Sequence, residues 1–337
     1  MTDGRHSLPG FVTAHSHAFQ RALRGRGAGG DFWAWRESML AEAARQTPQI
    51  VRTEYERVYR EMRDSGYTAV GEFHYLGLDE ASAAVDAARA AGIEIVLLLA
   101  AYEREGLERF RQRSVTEYLD QVEGLRARGA AVGVAPHSVR ACSAAWLTEI
   151  GRYAEQEGVV LHVHADEQQR EVDECLREHG VRPIELLART GCLTSTTTVV
   201  HATHAVPAEL DLVADAGAAV CLCPTTEANL GDGFPPVEGL LGRRIRIAIG
   251  SDANVRLDPL EELRELEGTA RRLTGRREVI SVPELLAIGS TGGADTLGLG
   301  EWPDIEVDLD HPALRGVAPE DVPAALVFSC GADVLAG

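Results

Sequence analysis

The stretch VVLHVHADE, residues 159–167, decides the fold. It opens as an apolar, β-branched run and ends in two histidines and two acids, so a buried strand leads directly into a loop equipped for chemistry. The same order recurs along the chain. FVTAH (11–15), TAVGEFHY (68–75), IEIVLLLAAY (93–102), AVGVAPHS (131–138), TVVHATHA (198–205), AAVCLCPTT (218–226) and RIAIGSDAN (246–254) have their apolar part first and, with few exceptions, their polar residues last. Helical patterns lie between them at 36–64, 79–91, 114–128, 143–157, 168–190 and 207–216, with proline and glycine at the joins. Strands alternating with helices build a parallel sheet. An open, doubly wound sheet would spread these polar strand ends along an edge. An α/β (β/α)8 TIM barrel brings them together on one face, at the strand C-termini. The expected organisation is an N-terminal segment over 1–10, a barrel over 11–300 and a short C-terminal appendage over 301–337, where IEVDLD and AALVFSC read as strand-like pieces.

Composition narrows the function classes. With 337 residues, 45% hydrophobic and 25% charged, the chain is of globular type and long enough for a large core. A net charge of −19 gives nucleic acid or an anionic membrane no electrostatic attraction, so neither is expected as a partner. No apolar run is long enough for a membrane span, and the start MTDGRHSLPG lacks the core of a signal peptide, so the expected location is the cytoplasm. Six cysteines show neither a disulfide rhythm nor a CxxC zinc pattern and read as reduced and buried. All 33 basic residues are arginine.

His15 and His17 are two apart on a strand, so their side chains leave the same face and can grip one ion. An HxH pair alone is a weak signal, because surface or turn histidines produce it often. Here it has company: His162 and His164 repeat the spacing on the fifth strand, His201 and His204 end the sixth, and Asp252 follows the eighth in GSDAN. Each group occupies the same end of its strand. Three imidazoles and a carboxylate suit zinc with an open position for water, and iron or manganese fit on softness alone.

These residues resemble the amidohydrolase superfamily, whose pattern is HxH on strand 1, single histidines ending strands 5 and 6, and an aspartate ending strand 8. The resemblance covers roughly residues 9–300. It implies that His15, His17, His164 and Asp252 hold the metal, while His201 lies beside the metal-bound water. Members with two ions commonly bridge them through a carboxylated lysine; this chain has no lysine, so one zinc per chain is expected. Glu167 completes HxxE after His164, the arrangement of the superfamily's deaminases, where a glutamate shuttles a proton to nitrogen.

The strings AHSHAFQRALRG (14–25), FWAWRE (32–37), GYTAVGEFHYL (66–76), APHSVR (135–140), HADEQQ (164–169), CPTTEANLGDG (223–233) and GSDANVRLDPLEELR (250–264) are similar to the formimino-L-glutamate deiminases within that superfamily. The resemblance implies a small dicarboxylate amidine as substrate, with Gln20, Tyr75, His137 and Arg140 binding it and Arg36 as a further carboxylate ligand. His201, Glu167 and Asp252 are the implied catalytic groups. A dicarboxylate bound by so acidic a protein needs local cations, and an arginine can grip a carboxylate with two parallel hydrogen bonds. An aminohydrolase acting on a purine, pterin or triazine ring is the competing reading, and a noncatalytic metal-binding barrel a more distant one. The family's small terminal β-sandwich has little chain available here and is expected to be reduced. The barrel surface thereby left uncovered suggests a homodimer.

Overall fold

The computed structural model describes residues 4–26 and 29–336. After β1 (Arg5–Pro9) come eight strands, β2 (Phe11–Ser16), β3 (Tyr67–His74), β4 (Glu94–Ala101), β5 (Val132–Pro136), β6 (Leu161–Ala165), β7 (Thr197–His201), β8 (Ala219–Leu222) and β9 (Arg246–Ile249). They pair in chain order, every pair parallel. β2 and β3 are buried along their whole length, which is why they read as apolar runs without alternation. The sheet turns back on itself at its polar end. Asp252, just past β9, donates its N–H to the His15 carbonyl at 3.0 Å and accepts the N–H of His17 at 2.9 Å. Ser251 adds a bond from its N–H to Thr13 Oγ1 at 2.9 Å.

Helices cover the outside. The pattern at 36–64 is two helices, Phe32–Arg45 and Pro48–Asp64, because Thr47 accepts the N–H of Ile50 as an N-cap and Pro48 cannot continue the preceding helix. The pattern at 168–190 divides for similar reasons into Gln169–His179 and Pro183–Arg189, with Gly180 left-handed at φ 71° between them. Among the described residues no helix is long and apolar enough to cross a membrane.

The two termini meet in a second, antiparallel sheet: β1 pairs with β10 (Asp304–Asp308), which pairs with β11 (Leu335–Ala336). AALVFSC is not a strand. It lies in the helix Val322–Ser329, whose Leu326 and Val327 are buried and whose Val327 carbonyl accepts the Arg264 guanidinium at 2.9 Å. A helix satisfies its backbone internally.

The seam leaves no spare volume. A Cβ on Gly250 would lie 2.8 Å from His15 Cβ and 2.9 Å from Cys223 Sγ. Gly250→Ala is therefore expected to destabilise the fold by about 1–3 kcal/mol through overpacking, and to lower metal retention together with stability. Denaturant unfolding of the two proteins measures this, and an unchanged midpoint would show that the seam can relax.

Candidate active site

His15 and His17 sit at the end of β2, His164 near the end of β6, and Asp252 in the turn after β9, where its φ of 40° is left-handed. The four side chains face one point. His15 Nε2 and His164 Nε2 are 3.1 Å apart, and Asp252 Oδ1 is 3.4 Å from Nε2 of both His15 and His17. His17 donates its Nδ1–H to the Phe73 carbonyl at 2.8 Å, and His164 donates its own to the His137 carbonyl at 3.0 Å. A carbonyl only accepts, so these bonds fix the tautomer and leave each Nε2 lone pair aimed at the shared point. Burial lowers the pKa of His15 to about 3 and depresses those of His17 and His164. Burial opposes ionisation of Asp252, yet the bond to His15 and the fields of His15, His17 and His201 hold its carboxyl well below the usual range. Neutral imidazoles and an ionised carboxylate, converging and deprotonated without help, are the donor set that fits a divalent ion.

Buried polar groups hold this set in place. Glu72 accepts the hydroxyl of Ser16 at 3.0 Å and the N–H of Ala18 at 2.8 Å, bracketing His17. Burial raises its pKa to about 8. Asn254 donates to Ser16 Oγ at 3.1 Å and to the Asp252 carbonyl at 3.0 Å, and accepts from Ser251 Oγ at 2.7 Å. The polar residues of GSDAN thus tie the Asp252 turn to the HxH strand.

His201 ends β7 in a left-handed conformation, φ 74°. Its Nδ1 donates to Glu227 Oε1 at 3.2 Å, and its Nε2 lies 3.7 Å from Glu167 Oε1. Burial works against protonation of His201, but the Glu167 field and the Glu227 bond outweigh it and raise the pKa well above the ordinary value. Burial also raises the pKa of Glu167, against the pull of His201. The pair can hold and pass a proton. His201, Cys223 and Glu227 also bring their ligand atoms within 4.8 Å of one another. That trio is a positioning device, because Glu227 Oε1 already accepts the Cys223 N–H at 2.8 Å and burial keeps the thiol protonated.

One pocket takes in every candidate from the sequence except His15, which is wholly buried behind it. Gln20 donates from Nε2 to the Tyr75 hydroxyl at 3.0 Å, while its buried Oε1 has no partner. Arg36 reaches in from the helix Phe32–Arg45, and Arg140 from the turn after β5. The His137 ring packs 4.7 Å from that of His164. His162 is kept out of the pocket by its contact with the Thr296 carbonyl at 2.9 Å. Three carboxylates escaped the sequence reading. Glu227 stands inside the quoted string CPTTEANLGDG without an assigned role; Glu171, four residues beyond Glu167 in the first turn of the helix Gln169–His179, accepts the Glu167 N–H. Glu105 carries no signal in the sequence, since only the folded chain brings it to the pocket.

Residues 7–302 match the amidohydrolase family. Formimidoylglutamate deiminase of Pseudomonas aeruginosa is 38% identical over 327 residues, covering 86% of this chain and 72% of the relative. A 5-methylthioadenosine/S-adenosylhomocysteine deaminase of Natronomonas pharaonis is 30% identical over 322 residues, covering 91% of this chain and 74% of the relative. The crystal structure of an adenosine deaminase from Xanthomonas campestris with bound zinc has the same fold, with a TM-score of 0.88, 23% identity and coverage of 98% of this chain and 78% of the other. The converging donors and the relatives agree on one conclusion: the chain belongs to the amidohydrolase family and is a metal-dependent aminohydrolase.

Proposed function

We propose that the protein hydrolyses N-formimino-L-glutamate to N-formyl-L-glutamate and ammonia, using one zinc ion held by His15, His17, His164 and Asp252. The observation that carries this reading is the pair of guanidinium groups, Arg36 and Arg140, in the pocket that also holds Glu167 and His201. Two cations facing inward in a protein of net charge −19 mark a site for carboxylates. The 38% identity to the Pseudomonas deiminase supports the same substrate. A ring aminohydrolase is the second reading, favoured by Phe32, Trp35 and Tyr102 in the pocket and by the Natronomonas relative. In that case the two arginines would be idle.

A divalent ion held by His15, His17, His164 and Asp252 would supply Lewis acidity to the attacking water. The protein supplies the rest. Arg140 and Arg36 hold the glutamate carboxylates, so that the formimino carbon rests beside the four donors. Asp252, the ionised carboxylate, accepts the proton of the attacking water as its oxygen bonds to that carbon, while His201, held toward its charged form, donates a hydrogen bond to that oxygen. Glu167 gives a proton to the imino nitrogen and then passes the adduct's hydroxyl proton to the same nitrogen, so that the C–N bond breaks, ammonia leaves and the carbon is left as the formyl group. The proton on Asp252 returns to Glu167.

Elemental analysis of active protein is expected to give about one zinc per chain, as the single converging donor set can hold one ion; two equivalents would contradict this. His17→Ala removes a donor and should lose metal and activity together. Glu167→Gln should keep the metal while turnover falls by a factor on the order of 100 or more, the usual size of a general acid's contribution. Near-normal turnover in Glu167→Gln would remove that residue from the mechanism. Arg140→Met should lower kcat/KM for formiminoglutamate by a factor on the order of 30 or more with metal content unchanged, and leave an uncharged amidine or aminopurine almost unaffected. Equal losses on charged and uncharged substrates would show Arg140 to be structural.

A further inference from the structure

We propose that Glu105 occupies the seat of a substrate carboxylate and must swing away from Arg36 and Arg140 before a dicarboxylate binds, which makes it a specificity-determining residue. The proposal rests on the reading of those two arginines as the carboxylate clamp.

One oxygen of Glu105, Oε2, lies 3.6 Å from Arg36 Nη2 and 3.5 Å from Arg140 Nη1. It bridges guanidinium groups from separate elements, as an incoming carboxylate would. The contacts are long beside the 2.7–2.9 Å typical of charge-assisted bonds, and the Glu105 side chain is 41% exposed, so solvent screens them. The other anion at Arg140 is different. Glu171 is wholly buried, lies 3.8 Å from Arg140 Nε and accepts the Glu167 N–H at 3.2 Å. Arg140 itself is only 9% exposed and cannot turn to water. Of the two carboxylates ion-paired with it, therefore, Glu171 is fixed and Glu105 is exchangeable. Replacing Glu105 by a ligand carboxylate keeps the buried guanidinium neutralised throughout.

The backbone around Glu105 is held while its side chain is left free to move. Glu105 has φ 61°, its carbonyl accepts Arg111 Nε at 2.7 Å, and the N–H groups of Glu103 and Arg104 both donate to the Ala141 carbonyl. The residue also borders two clefts outside the pocket, one with Arg104 and Arg177 in its wall, the other with Arg170. A displaced carboxylate thus moves by side-chain rotation into open space, where solvent receives it, since Arg104 is already paired with Glu178 and Arg170 with Glu174. A ligand without a carboxylate cannot take over the ion pairs and meets Glu105 still in place.

Glutarate serves as the probe, with binding to the zinc-loaded protein followed by calorimetry. Glu105→Gln removes the competing anion and should tighten glutarate about fivefold, the weight of one partly exposed ion pair, with a parallel fall in KM for formiminoglutamate. Glu105→Asp keeps the charge but is too short to span both arginines, so it should behave like Glu105→Gln. Glutarate binding that is unchanged or weaker in Glu105→Gln, or absent in every variant, overturns the proposal. So does a Glu105→Asp protein that matches wild type, because the effect would then be a distant field rather than displacement. If glutarate tightens as expected but no variant releases ammonia from formiminoglutamate, the substrate assignment fails and the displacement stands.

Discussion

The barrel seam and the converging donor set are made of the same residues. Asp252 joins the last strand to the first through backbone bonds to His15 and His17, while its carboxylate faces the imidazoles of those same residues. Closing the sheet therefore assembles the donor set, and anything that loosens the seam moves a ligand. This accounts for the density of buried polar groups around it. Thr13, Ser16, Ser251 and Asn254 form one hydrogen-bonded group across the junction, with Glu72 anchored to it through Ser16. A half-satisfied network in such a position would cost more than an apolar core.

Electrostatics divides the pocket into two halves with different tasks. Around the donors, burial keeps histidines neutral, and the bond to His15 with the fields of the neighbouring histidines keeps Asp252 ionised against its burial, the protonation states that a cation requires. A short distance away, His201 is pulled toward its charged form by Glu167 and Glu227. The same residue type is thus held neutral on one strand and pulled toward its charged form on the next, according to which carboxylates lie beside it. Arg36 and Arg140 place two cations in the pocket of an acidic protein, each beside the carboxylate of Glu105.

The sequence exposes the barrel because parallel strands buried on both faces must be apolar throughout, and their polar ends interrupt that run at the place where chemistry begins. Each member of the donor set is legible for the same reason. Helix boundaries are less so: the periodicity of 36–64 runs through Thr47 and Pro48, although the cap and the proline mark the break locally. AALVFSC reads as a strand because its composition suits one, yet it folds as a helix bonded to Arg264 of the helix Pro259–Thr274. Glu105 and Glu171 act through neighbours far away in the chain, Arg36 and Arg140, and no spacing rule reaches across such separations.

The central claim is that this pocket reads a dicarboxylate through its arginines and delivers its amidine carbon to the converging donors. Parallel ammonia-release kinetics on N-formimino-L-glutamate and on S-adenosylhomocysteine, with N-formyl-L-glutamate identified as product, test it most directly. The account predicts stoichiometric ammonia and N-formyl-L-glutamate, with kcat/KM for the dicarboxylate far above that for the nucleoside. Turnover of the nucleoside with none of formiminoglutamate would contradict it.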